Sequence, residues 1–555
     1  MNRLKHPLWW ALGIFIVNLA IRLIHAEAYF MIGDEPFTVY FAQWPVADIY
    51  KIISAGNNPP TFEILLHYWM KLGGTSGLWL RLLPCLFISL AGVAIAFIAN
   101  RIGGKRMLIA SSLLFLFTNF QMDFAHTVRV YAMLICFSCW SMFFFLALSD
   151  RTSKGNAIGW IITTLLAIGG HYFGVFIVFA QWLSIIITKE KNKSFIKKFT
   201  IANGLLLLLF SPMLVVLVKR YFATIQEGTF MAPVINLKSF YEIGMFTFNK
   251  SEYLLMLLGL IFIISLVLFI RKKTQSIPLI ILYSVLSVVC LLPLLSCFQL
   301  GHYIPEIPFI NSIIWAIVSV SLSCIFIVYV IRTSRLSLGE TTILLWGIGP
   351  IIFLWLCSFK IPMFLDRYVV HLLTAFSLIV PFIIFRLPKV VSYVAMSLVI
   401  LLYAFNFNLK PERFSTAGDA EQKLRTMKRP NTAVILSPGY EDLRFAYHYD
   451  KDLFFNANEH RADTLGDGIV HEENSTLYKE GIRRALRRDN IHVANNIGML
   501  EFSLDSINDV IHYDFNTFGC YPDNRIKETL ESNFGKAIQV EVYPEGIYLY
   551  HYKRK

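Results

Sequence analysis

Charge is what this sequence has least of. Asp, Glu, Lys and Arg make up 16% of its 555 residues, hydrophobic residues make up 56%, and the mean hydropathy is +0.57. A soluble chain carries about 25% charged residues, so an ordinary soluble enzyme is excluded and a polytopic membrane protein is indicated. Cysteine is also sparse. Seven of the eight (Cys85, Cys136, Cys139, Cys290, Cys297, Cys324, Cys357) fall in hydrophobic sequence, which leaves Cys520 alone in the polar tail. Neither a disulfide framework nor a zinc spacing can be built from them. No glycine-rich phosphate loop or dinucleotide fingerprint occurs, as expected of a site that handles no nucleotide. The first apolar run lacks a small-residue cleavage site and reads as a retained span, not a signal peptide.

Apolar runs of about 18 to 25 residues are what the sequence does have, each long enough to cross roughly 30 Å of hydrocarbon as a helix. About thirteen are expected, at 8–25, 78–100, 107–121, 129–149, 157–170, 171–188, 200–218, 253–270, 277–298, 307–331, 341–359, 362–385 and 390–407. Alternate connections ("MNRLKH", "RIGGKR", "DRTSKGN", "TKEKNKSFIKK", "RKKTQS", "RTSRLS", "FRLPK") collect Lys and Arg. The short ones between them ("NFQMDFAHT", "GGHYFG", "QLGHYIPE") hold none. By the positive-inside rule the amino terminus is cytoplasmic, and an odd number of spans sends the carboxyl-terminal region outside. An even number would reverse that last step.

The net charge of +13 raises the question of nucleic acid. Residues 1–407 carry 30 Lys and Arg against 14 Asp and Glu, whereas residues 408–555 carry 20 against 23. Topology therefore accounts for most of the excess, and no nucleic-acid partner is expected. Two domains follow: residues 1–407 in the membrane, with exterior loops 26–77 and 219–252, and an extracytoplasmic α/β domain over 408–555. In the second, "DAEQKLRTMKR", "LYKEGIRRALRRD" and "NRIKETLESN" read as helices, "TAVILS" and "IHVAN" as strands, and "AIQVEVYPEGIYLYHY" as a hairpin. His448, His460, His471, His492 and His512 are scattered there and suggest no catalytic group.

Polar residues at the outer ends of the spans carry the chemistry. Asp34, Glu35, Asn57, Asn58, Asp123, His126, Arg129, Tyr131, His171, Tyr172, His302, Tyr303, Asp366, Arg367 and Tyr368 all fall on the predicted outer face. Any one of them could snorkel to headgroups or cap a helix. Snorkelling alone would spread such residues over both faces, so their gathering on one suggests a common exterior site. Glycosyl transfer from a lipid-phosphate sugar needs a base for the incoming hydroxyl and cations for the departing phosphate. Asp34 fits the first need. Arg129 and Arg367 fit the second, because guanidinium binds phosphate bidentately and keeps its proton.

In order, "MIGDEPF", "NNPPTFEILLHYW", "GLWLRLLP", "FAHTVRVYAML", "GGHYFGVF" and "FLDRYVV" resemble the GT-C superfamily of integral-membrane glycosyltransferases. The branch they are most similar to holds the dolichyl-phosphate-mannose protein mannosyltransferases and the aminoarabinose lipid A transferases. The resemblance implies a GT-C fold, Asp34 as general base with Glu35 beside it, and inversion at the anomeric carbon. It implies substrate-binding places for Asn58, His126, Arg129, Tyr131, His171, Tyr172, Arg367 and Tyr368. It also implies a polyprenyl-phosphate sugar as donor; the acceptor, whether glycan, lipid or protein, stays open.

Two positions depart from the family pattern. Thr127, next to His126, stands where relatives often have an acid, and Asn57-Asn58 stand where an Asp-His pair is usual. Both weaken a metal assignment, so no residue is assigned to a metal and a divalent ion is left open as cofactor. The composition looks bacterial, which places the chain in the inner (plasma) membrane among membrane lipids and makes an undecaprenyl-type carrier the expected donor. A transporter or flippase of a sugar-linked polyprenyl lipid is the rival reading, disfavoured by the lack of an internal repeat. A non-catalytic scaffold is the third. The exterior segment 219–252 is long enough to serve as a lid or as a passive interfacial loop.

Overall fold

The structure is a computed structural model that describes residues 7–27, 31, 33–56, 58–190, 192–227, 238–273, 336–360, 363–409, 418–456, 475–500, 502–544 and 546–554. The expected spans 277–298 and 307–331, with His302, Tyr303 and three of the cysteines, lie outside the described residues, as do Asn57, His460 and His471. The chain divides into two compact bodies. One is drawn from Met1–Ile24 and Pro84–Pro411, the other from His25–Leu83 and Glu412–Lys555.

The first body is helical. In chain order its elements are α1 (Pro7–Leu23), most of α5 (Gly77–Leu116), α6 (Asn119–Ala125), α7 (Tyr131–Asp150), α8 (Lys154–Gly170), α9 (Val175–Thr188), α10 (Lys193–Glu227), α11 (Lys238–Thr247) and α12 (Glu252–Lys273). After the undescribed stretch come α13 (Leu338–Cys357), α14 (Asp366–Leu373), α15 (Phe376–Ile384) and α16 (Lys389–Phe405). Among the described residues four helices are long and apolar enough to cross a membrane, or up to six if the bent pairs α11–α12 (101°) and α14–α15 (46°) each count as one span. Thirteen spans are therefore not reached. Several expected ones are short apolar helices (α1, α9, α16), and the two noted above are not described.

Helix α5 unites two expected spans, and Gly104 explains how. Its backbone sits at φ 70°, ψ −162°, a region open essentially to glycine alone, in the middle of "RIGGKR". Gly92 and Phe115 would lie about 34 Å apart on a straight helix. Instead, the Cβ position of Gly92 is 3.2 Å from the Phe115 ring, so the chain folds back at Gly104 as a helical hairpin. Polar side chains tie neighbouring helices together in the apolar interior. Trp160 Nε1 donates to Gln181 Oε1 at 3.0 Å, Gln181 Nε2 donates to Ser141 Oγ at 3.1 Å, and Ser141 Oγ lies 2.7 Å from Thr164 Oγ1. Each buried amide and hydroxyl thereby finds a partner across α7, α8 and α9.

The second body joins two distant stretches of chain. Residues 25–83 supply α2 (Glu35–Ala42), α3 (Val46–Ala55) and α4 (Thr61–Gly73). Apart from Phe37, every residue of α2 is buried, as a helix that is apolar on most sides must be. It is buried against the carboxyl-terminal region. The Tyr40 and Phe454 rings are 5.6 Å apart, Gln43 Nε2 donates to Phe454 O at 3.3 Å, and His448 Nε2 lies 2.8 Å from Met31 O.

That region is built on five strands: β1 (Ala433–Ser437), β2 (Ile491–Val493), β3 (Asp509–Phe515), β4 (Gln539–Val542) and β5 (Ile547–Lys553). Their order in the sheet is β2-β1-β3-β5-β4, with β1 parallel to β2 and β3, and β5 antiparallel to β3 and β4. The expected strands and hairpin are present. The central strand β3 is additional. Leu436, Ile511, Tyr513 and Phe445 pack on one face, and Ile435, Val510, Ile526 and Leu530 on the other. Buried Arg444 is held by Glu421 at 3.2 Å and Glu441 at 2.9 Å, and Tyr513 donates to Glu421 at 2.6 Å. Ser437 Oγ lies 2.7 Å from His512 Nε2 and accepts from Thr517 Oγ1 at 2.7 Å, linking the ends of β1 and β3.

Candidate functional site

Helix ends in the first body gather most of the residues singled out from sequence. Tyr131 opens α7, His171 follows the last residue of α8, and Arg367 and Tyr368 lie in the first turn of α14. The His171 ring is 6.1 Å from Tyr131, 5.1 Å from Phe173 and 5.3 Å from Tyr368. The exposed Arg367 guanidinium lies 5.5 Å from the Tyr368 ring centroid, and both Arg129 and Arg367 act electrostatically on His171. Tyr172 is 7% exposed and meets Phe210 edge-on.

Hydrogen bonding fixes the protonation pattern of His171. Its Nδ1 accepts from the Phe173 N–H at 3.2 Å, so a neutral ring carries its proton on Nε2. That Nε2 is buried and has no partner among the described residues. One orphan N–H donor therefore stands beside two guanidinium groups, an arrangement that suits an anionic oxygen. Nearby, the buried His371, missed in the sequence reading, lies with Nε2 3.1 Å from Phe173 O, and its own carbonyl accepts from Trp346 Nε1 at 3.0 Å. Together these bonds hold the 171–174 turn against α14.

His126 is placed otherwise. It is fully buried, with Nε2 2.6 Å from the carbonyl of Arg22. Arg22 itself is fully buried and donates to Phe115 O at 3.2 Å and Leu116 O at 2.8 Å. Sequence reading passed over Arg22 because it sits inside the first apolar run, although a cation at that depth is itself a signal.

The acidic pair belongs to the second body. Asp34 is exposed at the N-cap of α2 and Glu35, its first residue, is 2% exposed. Carboxylates at a helix amino terminus are favoured by the dipole, which accounts for two adjacent acids at that point. Pro60 precedes Thr61 at the start of α4, with half-buried Asn58 just before the two prolines. Glu63, also buried, lies with Oε1 3.5 Å from Thr38 Oγ1, and His67 Nδ1 is 2.8 Å from Ala42 O, so α4 braces α2. Among the described residues no three of His, Cys, Asp and Glu converge as metal ligands.

Residues 57–216 match the family model of the dolichyl-phosphate-mannose-protein mannosyltransferases. No curated protein matches the chain significantly. Among solved structures, the chain is similar to ArnT from Cupriavidus metallidurans bound to undecaprenyl phosphate, with 11% identity, 98% of each chain covered and a TM-score of 0.48. It is also similar to the oligosaccharyltransferase AglB from Archaeoglobus fulgidus in complex with an inhibitory peptide and a dolichol-phosphate, with 13% identity, 98% of this chain and 74% of that one covered, and a TM-score of 0.47. The stretch that matches the mannosyltransferase model, residues 57–216, includes Arg129, Tyr131, His171 and Tyr172.

Proposed function

We propose that the protein transfers a monosaccharide from a polyprenyl-phosphate sugar to an acceptor hydroxyl on the extracytoplasmic face of a bacterial plasma membrane. The observation that carries this reading is the His171 Nε2–H, without a partner among the described residues and within electrostatic reach of Arg129 and Arg367. One N–H donor and two guanidinium groups suit a phosphate that gains charge as it leaves. Asp34 takes the proton of the acceptor hydroxyl, and the freed oxygen attacks C1 of the sugar. The C1–O bond to phosphate breaks with its electron pair going to the phosphate oxygen, and attack from the opposite side inverts C1. Glu35 positions Asp34, Tyr131, Tyr172 and Tyr368 shape the sugar and phosphate pocket, and Asn58 lies in the loop at the cavity floor. Residues 408–555 form the extracytoplasmic domain. No step is routed through a metal.

Binding of an undecaprenyl-phosphate sugar to the purified full-length protein tests this reading. Arg129→Ala and Arg367→Ala are each expected to weaken donor affinity at least tenfold, and Arg367→Lys is expected to restore only part of it, because an ammonium cannot hold phosphate bidentately. Unchanged affinity in both alanine variants, with transfer intact, would remove the phosphate assignment.

A further inference from the structure

Three helices of the first body end at one place. Helix α5 closes at Leu116, α11 at Thr247 and α14 at Leu373, and the last two are followed by bends of 101° and 46°. Between these ends lies a cavity of about 10 Å³, lined in part by Thr118, Gln121, Thr247, Thr374, Ser377 and Tyr403. Such a volume holds about one water-sized particle.

The hydrogens of the lining are almost all committed elsewhere. Thr118 donates to Leu114 O at 2.6 Å, Thr247 to Ile243 O at 2.7 Å, Thr374 to Val370 O at 2.9 Å and Ser377 to Thr374 O at 2.7 Å. Gln121 uses one Nε2 hydrogen on Thr374 Oγ1 at 3.0 Å, and its Oε1, on a side chain 1% exposed, has no partner among the described residues. Among the described lining residues, the Tyr403 hydroxyl and the second Nε2 hydrogen of Gln121 are the hydrogens left to give. Beside the apolar Phe115, Phe120, Leu373 and Phe376, the polar part of the lining thus offers mainly oxygen lone pairs, at a point where three helix carboxyl termini add partial negative charge. Arg22 already occupies the last carbonyls of α5, Phe115 O and Leu116 O, so its charge offsets part of that field.

We propose that this cavity binds one monovalent cation, Na⁺ or K⁺, which bridges the three helix ends through hydroxyl oxygens and Gln121 Oε1. A water molecule has two hydrogens for five acceptor oxygens, whereas an alkali ion accepts them all. A divalent ion is disfavoured because the lining holds no carboxylate and Arg22 lies close by.

Thermal unfolding of the full-length protein in detergent tests this, in NaCl, KCl and choline chloride at matched ionic strength. A ligand that binds only the folded state raises Tm with concentration. The expected result is a saturable rise of a few degrees in Na⁺ or K⁺ over choline, abolished by Gln121→Leu and reduced by Ser377→Ala. Identical Tm in all three salts, or a rise unchanged in the variants, would overturn the proposal and leave a water in the cavity. Should Gln121→Leu fail to fold, Ser377→Ala, which keeps the helix backbone intact, decides alone.

Discussion

Asp34 and His512 show how differently two titratable residues can be used in one chain. Asp34 is exposed at a helix N-cap, where the helix dipole favours a carboxylate. Asp34→Asn preserves size while removing the carboxylate proposed as the base. It is expected to lower transfer by about 10²–10⁴-fold without loss of folded protein, read by a radiolabelled-sugar transfer assay alongside size exclusion. His512 is the opposite case. Burial pushes its pKa down to about 4, so in the folded domain it is neutral and bonded to Ser437. The unfolded chain takes up a proton near pH 6.5, which the folded chain does not. The stabilising contribution is therefore complete above that pH and is lost as pH falls from about 6.5 towards 4, an effect of order 3 kcal/mol. Hydrogen exchange of the β1 and β3 amides in the full chain, corrected for intrinsic rates, should show this weakening on acidification, and His512→Gln should flatten it.

Elements were legible in sequence to the extent that hydropathy alone determines them. The apolar runs became α1, α7, α8, α9, α13 and α16 within a few residues, and "RIGGKR" fell at the turn inside α5. Strand β3 was missed because "DVIHYDF" places His512 and Tyr513, both buried, among residues whose polarity hides a central strand; their bonds to Ser437 and to Glu421 make burial tolerable. Motif order likewise brought forward the residues around His171. It could not bring forward His371 or Gln121, whose meaning depends on which carbonyl or hydroxyl lies opposite. At this scale Gly104 offers the sharpest test. Gly104→Val forces a branched side chain into a glycine-only conformation at a cost of about 1–3 kcal/mol. The expected outcome is a lower Tm for the full chain, while Gly155→Ala, where an added Cβ meets nothing within 4 Å, leaves Tm unchanged or slightly raised.

For the whole molecule, the second body matters most. Tyr40, Phe41 and Trp44 in the 25–83 stretch are fully or nearly fully buried, and Tyr40 reaches that state beside Phe454. A chain ending at residue 411 would expose this aromatic group. It is expected to elute as aggregate on size exclusion in detergent, whereas the intact chain elutes as a single species; a monodisperse truncation would show that residues 25–83 need no partner. The composition of α2 makes the stronger outcome the expected one, because an apolar patch of that kind seldom stays in water.

The division of the second body between two ends of the chain also sets an order of events at the ribosome. More than three hundred residues separate Leu83 from Glu412, so at ordinary elongation rates the early half waits tens of seconds for the late half. Throughout that interval α2 has α4 beside it but lacks the carboxyl-terminal region that covers Tyr40. A product stopped in the last quarter of the message would therefore lack the cover over Tyr40 that Phe454 supplies in the intact chain.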